Sequence, residues 1–163
     1  MDDIIIQQDG FSINFGNARA FVFDEKDKNS DHFHGMPMKS VDIIVEMGNC
    51  DFYIELKDYS SPERKNESEP KDFRKYLKET LKYKFRDTFL YRYAEGRIPQ
   101  EIHYICLVEA DHAMAQHMTQ ELKTELPLGK GPRWKQPLAS SCFVINLRTW
   151  NRQFPEWPAK KTP

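Results

Sequence analysis

Covalent staples are scarce in this chain. Its 163 residues include 3 cysteines, Cys50, Cys106 and Cys142, far apart and without a C-x-x-C pair. An odd, scattered set of thiols argues against a disulfide framework and predicts reduced core residues in a cytosolic (cytoplasmic) protein. Long apolar runs are also missing. No stretch approaches the ~20 apolar residues of a membrane span. The opening MDDIIIQQDG has neither the basic start nor the apolar run of a secretory signal. There is no internal repeat, no low-complexity tract, no Walker loop, no G-x-G-x-x-G and no G-x-S-x-G. Nucleotide hydrolysis and serine esterase chemistry therefore have no motif to rest on.

What is present is charge and aromatic mass. Charged residues make up 30% of the chain and the mean hydropathy is −0.74, values that alone would suit disorder. Against that stand 11 Phe, 7 Tyr and 3 Trp, which need a core. A chain of this size can bury roughly 70% of its unfolded surface, enough for one domain over 1–163. We place its core at about 18–147, with a Trp/Pro-rich tail over 148–163. The net charge of −1 hides an asymmetry: residues 1–70 hold 15 acids and 7 bases, and residues 71–163 hold 10 acids and 17 bases. An acidic front and a basic back suit two surfaces that meet one polyanion through metal ions.

The patterning predicts short strands at 3–8, 11–15 and 18–23, the first two joined by the Asp9-Gly10 turn. A polar loop runs to Pro37. Val41–Met47 and Cys50–Asp58 read as a hairpin around Gly48-Asn49. After a loop at SSPERKNESEP, a long helix runs from Pro70 to about 95 and stops at Gly96 and Pro99, with Ser68 or Glu69 as its cap. A buried strand follows at 102–109. A helix capped by Asp111 ends before Pro127, and a last strand covers 141–147. Strands first, then helix–strand–helix–strand, gives an α/β fold with a single mixed central sheet flanked by helices.

The hairpin carries the chemistry. A two-residue loop pairs 47 with 50, 46 with 51, 44 with 53 and 42 with 55. One face is then Val41, Ile43, Val45, Met47, Cys50, Phe52, Ile54 and Leu56, wholly apolar. The other carries Asp42, Ile44, Glu46, Asp51, Tyr53, Glu55 and Lys57. Asp42 and Glu55 face each other with Cβ atoms ~5 Å apart, an arrangement that is destabilising unless a divalent cation sits between them. Lys57 lies on the same face near Ser40. A register slip of one residue would remove Asp42 from this group.

Asp42 on one strand, then Glu55-Leu56-Lys57 on the next, followed by a helix and a further strand, resembles the PD-(D/E)XK nuclease superfamily over roughly residues 18–109. The resemblance implies a restriction endonuclease-like fold and a metal-dependent phosphodiesterase. Metal ligands would be Asp42, Glu55 and the Leu56 backbone, with Lys57 as water-positioning base or electrostatic helper. The cofactor would be Mg²⁺ or Mn²⁺, the partner nucleic acid, DNA first, and the enzyme could work as a homodimer. Val41 stands where members often have proline. The family's upstream acid is unassigned, with Glu25, Asp31 and Glu46 as candidates. The D/E-x-K pattern occurs five times in the chain, at 24–26, 55–57, 63–65, 69–71 and 121–123, and only 55–57 sits in an apolar strand opposite an acid.

On the long helix, Lys71, Arg74, Lys75, Lys78, Lys82 and Arg86 form a basic stripe suited to phosphate contact, opposite Phe73, Tyr76, Leu77 and Thr80. The GKGPRWK loop offers a further phosphate contact and a stacking Trp134. His32 and His34 form an H-x-H pair that could approach Asp42, whereas His112 and His117 are five apart, wrong for one helical face. Plain readings stand beside these: a solvated salt bridge between Lys57 and an acid, a solvated helix face, an ordinary turn. A second function from another class is a non-catalytic interaction protein, a partner subunit or a protein that neutralises a toxin or effector. It would use the acidic loop at 24–31 and the aromatic tail from Trp150 to Trp157.

Overall fold

The computed structural model describes residues 2–58 and 70–163, the side chains of 70–74, 76 and 77 excepted. Its elements in chain order are β1 (Ile5–Gln8), β2 (Phe11–Asn14), β3 (Arg19–Val22), β4 (Ile43–Glu46), β5 (Cys50–Lys57), α1 (Pro70–Ala94), β6 (Glu101–Val108), α2 (His112–Glu125), β7 (Ser141–Ile145), α3 (Leu147–Gln153) and β8 (Ala159–Lys161). Residues 60–69 of the loop expected at 60–70, with the capping residues Ser68 and Glu69, fall outside the described residues.

Turn chemistry sets the local geometry. Asp9 and Gly10 both take positive φ, 49° and 85°, as a two-residue type I′ turn requires, and Gln8 pairs with Phe11 across it. At the second hairpin only Gly48 needs positive φ, 85°, and Met47 donates its N–H to the Cys50 carbonyl at 2.9 Å. Helix α1 ends where Gly96 takes φ of 70°. The Arg97 N–H then reaches the Arg92 carbonyl and the Gly96 N–H the Tyr93 carbonyl, a Schellman closure. Asp111 caps α2 by accepting the Met114 N–H at 2.8 Å, as its position predicts.

The strands form two sheets. Five run in the order β3-β4-β5-β6-β7, with β4 antiparallel to both β3 and β5, and β6 and β7 parallel to β5. The other three run β1-β2-β8, all antiparallel. The expectation of a single sheet is thus corrected: the N-terminal hairpin and the tail make a sheet of their own. Neither long enough nor apolar enough to cover a core alone, the hairpin gains a third strand from residues 159–161. No described helix is long and apolar enough to cross a membrane.

Two apolar clusters fill the space on either side of the five-stranded sheet. One joins Ile44, Tyr53, Tyr104 and Val144 to Leu81 and Phe85 of α1 and Met118 and Leu122 of α2. The other joins Ile43, Val45, Ile54, Leu56, Ile105 and Leu107 to Phe11 and Ile13 of β2, and to Trp150 and Trp157. The layers are therefore helices, large sheet, then small sheet with α3. The tail is not an exposed aromatic patch, because Trp150 is 0% and Trp157 5% exposed. Trp150 donates its indole N–H to the Trp157 carbonyl at 2.7 Å, which satisfies a polar atom that burial would otherwise leave unpaired. All three cysteines are free, with Cys106 and Cys142 buried and Cys50 half-buried.

Candidate functional site

Strands β4 and β5 pair as expected, Ile43 with Ile54, Ile44 with Tyr53, Val45 with Phe52 and Glu46 with Asp51. Two positions leave the expected apolar face. Met47 is 47% exposed at the turn, and Val41 joins the α1 side of the core. The ladder stops at Ile43, so Asp42 lies just outside the strand in which it was expected. Val41 has turned to α1, donating its N–H to Thr88 Oγ1 at 2.9 Å. Asp42 uses its side chain instead: Oδ2 accepts the Leu56 N–H at 2.7 Å and Oδ1 the Gln8 side-chain amide at 3.1 Å.

This brings Asp42, Glu55 and Lys57 together. Glu55 is fully buried and Asp42 nearly so. Lys57 Nζ stands 2.7 Å from Glu55 Oε1 and 3.3 Å from Asp9 Oδ2. A residue that sequence reasoning missed completes the group: Lys84 Nζ is 3.2 Å from Glu55 Oε1. Both lysines meet Glu55 through Oε1, and Oε2 is buried without a hydrogen-bond partner. The solvated salt bridge of the plain reading is therefore paired but not solvated. Asp42 and Glu55 lie beneath the surface of the described residues, and the Lys57 side chain is 17% exposed.

Burial dominates the electrostatics. It pushes the Glu55 carboxyl from its ordinary 4.5 up to about 8, the Asp42 charge adding to the push and Lys57 and Lys84 opposing it. Asp42 is also raised by burial, against the pull of Lys84 and Lys57. Lys57 moves upward too: burial would lower it, but the Glu55 and Asp42 carboxylates outweigh burial.

The other end of the same hairpin face is a separate ion-pair system. Arg92 of α1, 3% exposed, places NH2 2.7 Å from Glu46 Oε1 and 3.3 Å from Asp51 Oδ2. Arg19 and Arg97 also reach Glu46, at 3.2 and 3.5 Å. Glu46 is thus committed four residues, ~13 Å of strand, away from Asp42 and does not serve as the upstream acid. Glu25 folds back on its own loop, accepting the Lys26 and Asp27 N–H groups. Asp31 lines a different hollow, beside Arg19 and Glu46. Among the described residues no cluster of three or more His, Cys, Asp or Glu is close enough to hold a metal ion.

The basic stripe divides. Lys71 and Arg74 have side chains outside those described. Lys75 is exposed. Lys78 and Lys82 both pair with Glu125, at 3.1 and 2.8 Å, and Arg86 donates to the Glu125 carbonyl at 3.3 Å. Half of the stripe thus docks α1 against the end of α2, so it is not a wholly solvated face. Trp134 folds onto its own loop, its indole N–H on the Gly129 carbonyl at 3.0 Å. The H-x-H pair is committed to aromatic packing, His32 stacked on Phe21 and His34 set between Phe23 and Tyr91. Comparison with protein-family models, with curated proteins and with solved structures found no match for this chain.

Proposed function

We propose that this chain is a metal-dependent nuclease of the PD-(D/E)XK kind that hydrolyses phosphodiester bonds of nucleic acid. The observation that carries the reading is the meeting of two buried carboxylates, Asp42 and Glu55, with Lys57 2.7 Å from Glu55. The surrounding order supports it: an antiparallel β3-β4-β5 unit, then α1, then β6 parallel to β5.

The donor set suits a hard divalent cation such as Mg²⁺ or Mn²⁺. Glu55 Oε2 is buried without a hydrogen-bond partner. Oδ1 and Oδ2 of Asp42 each accept a hydrogen bond and keep a further lone pair. The Leu56 carbonyl points to the same edge of β5 as its N–H, toward Asp42. Asp42, Glu55 and that carbonyl would hold the ion, which when bound supplies an ionised water near neutral pH and offsets charge on the phosphoryl oxygens. Lys57 acts through its charge. The Glu55 and Asp42 carboxylates favour its charged form, which would orient water and neutralise charge there. Lys84, 3.2 Å from Glu55 Oε1, would share with the ion the task of balancing that carboxylate.

The test is a digestion of single- and double-stranded DNA and RNA with Mg²⁺ or Mn²⁺. Cleavage is expected from the wild type, and loss of cleavage from Asp42→Asn, Glu55→Gln, Lys57→Ala and chelation. Intact substrates throughout, with no metal bound, would refute catalysis. One observation favours the second reading, a non-catalytic interaction protein on this fold: Glu55 is wholly enclosed and already paired with two lysines. The tail can no longer serve that reading, since its tryptophans lie in the core.

A further inference from the structure

Tyr83 stands on the outer side of α1 with 42% of its surface exposed. Three cations surround its ring: Lys39 Nζ at 5.4 Å from the centroid, Lys82 Nζ at 5.3 Å and Arg86 Cζ at 6.0 Å. Lys82 and Arg86 are its neighbours on the helix. Lys39 comes from the segment before Asp42 and is fixed by its own N–H on Asp87 Oδ2 at 2.9 Å. An open hollow of about 810 Å³ adjoins the ring, and Phe33 and Met36, 37% and 55% exposed, line it. Of the acids nearby, Asp24 pairs with Lys26 at 2.6 Å, Glu25 accepts the Lys26 and Asp27 N–H groups, Asp87 accepts the Lys39 N–H, and Glu125 shares Lys82 with the ring.

An exposed ring beside apolar side chains, with cations grouped around it, has the chemistry of a nucleotide site. A base stacks on the ring and the cations take the flanking phosphates. A duplex keeps its base faces inside the stack, so the combination suits an unpaired strand. We infer that Tyr83, with Lys39 beside it and with Lys82 and Arg86 shared with Glu125, is a platform for single-stranded nucleic acid serving the Asp42–Glu55 pair. This rests on the proposed nuclease reading for its purpose but not for its chemistry. The two places are close. Lys84, next to Tyr83, reaches Glu55 at 3.2 Å. Lys39 precedes Asp42 by three residues, at most about 11 Å of chain.

The experiment is fluorescence polarisation of a labelled oligo-dT strand and of its duplex with oligo-dA, in EDTA, over a series of salt concentrations. EDTA removes metal-dependent cleavage, so binding is read independently of catalysis. The wild type is expected to bind the single strand more tightly than the duplex. Tyr83→Ala is expected to weaken single-strand binding about 5- to 150-fold, while Tyr83→Phe retains it. Lys39→Ala should lower the slope of log affinity against log salt by about 0.7. Tyr83 is exposed, so the variants should fold, which circular dichroism checks. Equal affinity for duplex, undiminished binding by Tyr83→Ala, or no binding of either oligonucleotide would overturn the inference. Binding without cleavage in Mn²⁺ would leave the platform standing and sink the catalytic reading. Cleavage with Tyr83→Ala bound as tightly as the wild type would do the reverse.

Discussion

Asp42 Oδ2 takes the Leu56 N–H at 2.7 Å, the bond that the Val41 carbonyl would make if the β4–β5 ladder ran one step further. The Met47–Cys50 bond fixes which pairs exchange hydrogen bonds, and counting back by twos leads to Val41 opposite Leu56. Because Val41 turns away to Thr88, the Leu56 N–H would be orphaned within the core. The Asp42 carboxylate thus ends a sheet ladder and faces Glu55 at the same time.

Asp42→Ala should therefore cost stability even without metal. An unsatisfied buried N–H costs about 1–3 kcal/mol, partly offset by relief of the charge on Glu55. Asp42→Asn keeps an acceptor for Leu56 and should lose much less. Urea unfolding in chelator distinguishes the two.

Glu55 gives a pH signature of unusual sign. Its folded pKa, raised to about 8 by burial and by Asp42, exceeds the ordinary 4.5. Between those values the folded state binds more protons than the unfolded one, so stability should fall as pH rises from 4.5 to about 8. Below that window the group contributes no difference, and above it the loss is complete. Glu55→Gln should remove this descending limb, as read from thermal midpoints in EDTA against pH.

Arg92 is the larger structural risk. Its removal leaves Glu46 and Asp51 without their buried guanidinium, and breaking a buried pair costs about 3–5 kcal/mol. Arg92→Met should destabilise more than Arg19→Met, whose side chain is 77% exposed at the same Glu46. Denaturant midpoints of the two variants make the comparison.

The tail should behave as core. Trp157→Ala empties a site packed by Phe15, Phe52 and Phe154 and should cost about 3–5 kcal/mol. A variant as stable as the wild type would contradict the burial of this segment.

The hairpin register was legible because Gly48-Asn49 admits one short turn and because period-2 alternation leaves little freedom on either side of it. The helix ends were legible for a similar reason, with Gly96 and Asp111 each satisfying backbone groups only at those places. Three features were less accessible. The mixed face, Ile44 and Tyr53 among acids, allowed a solvated salt bridge in the plain reading, although α1 buries it. Lys84 and Arg92 lie on the buried stripe of α1, three and eleven residues after Leu81, the spacing of one helix face. Two cations in an apolar stripe signal buried acids opposite, and their separation of ~12 Å along the helix matches the ~13 Å between Glu55 and Asp51 along the strand. The tail was misread because three residues of strand carry no periodicity. Trp and Pro density read as a loose end when it was the closing layer of the core.

The central claim is that Asp42 and Glu55 together hold a divalent cation, and calorimetric titration of metal-free protein with Mn²⁺ tests it most directly. The expected result is saturable binding that Asp42→Asn and Glu55→Gln each abolish, while Arg19→Met leaves it unchanged. No heat of binding to the wild type, or the same affinity in Glu55→Gln, would show that the two acids serve the fold alone.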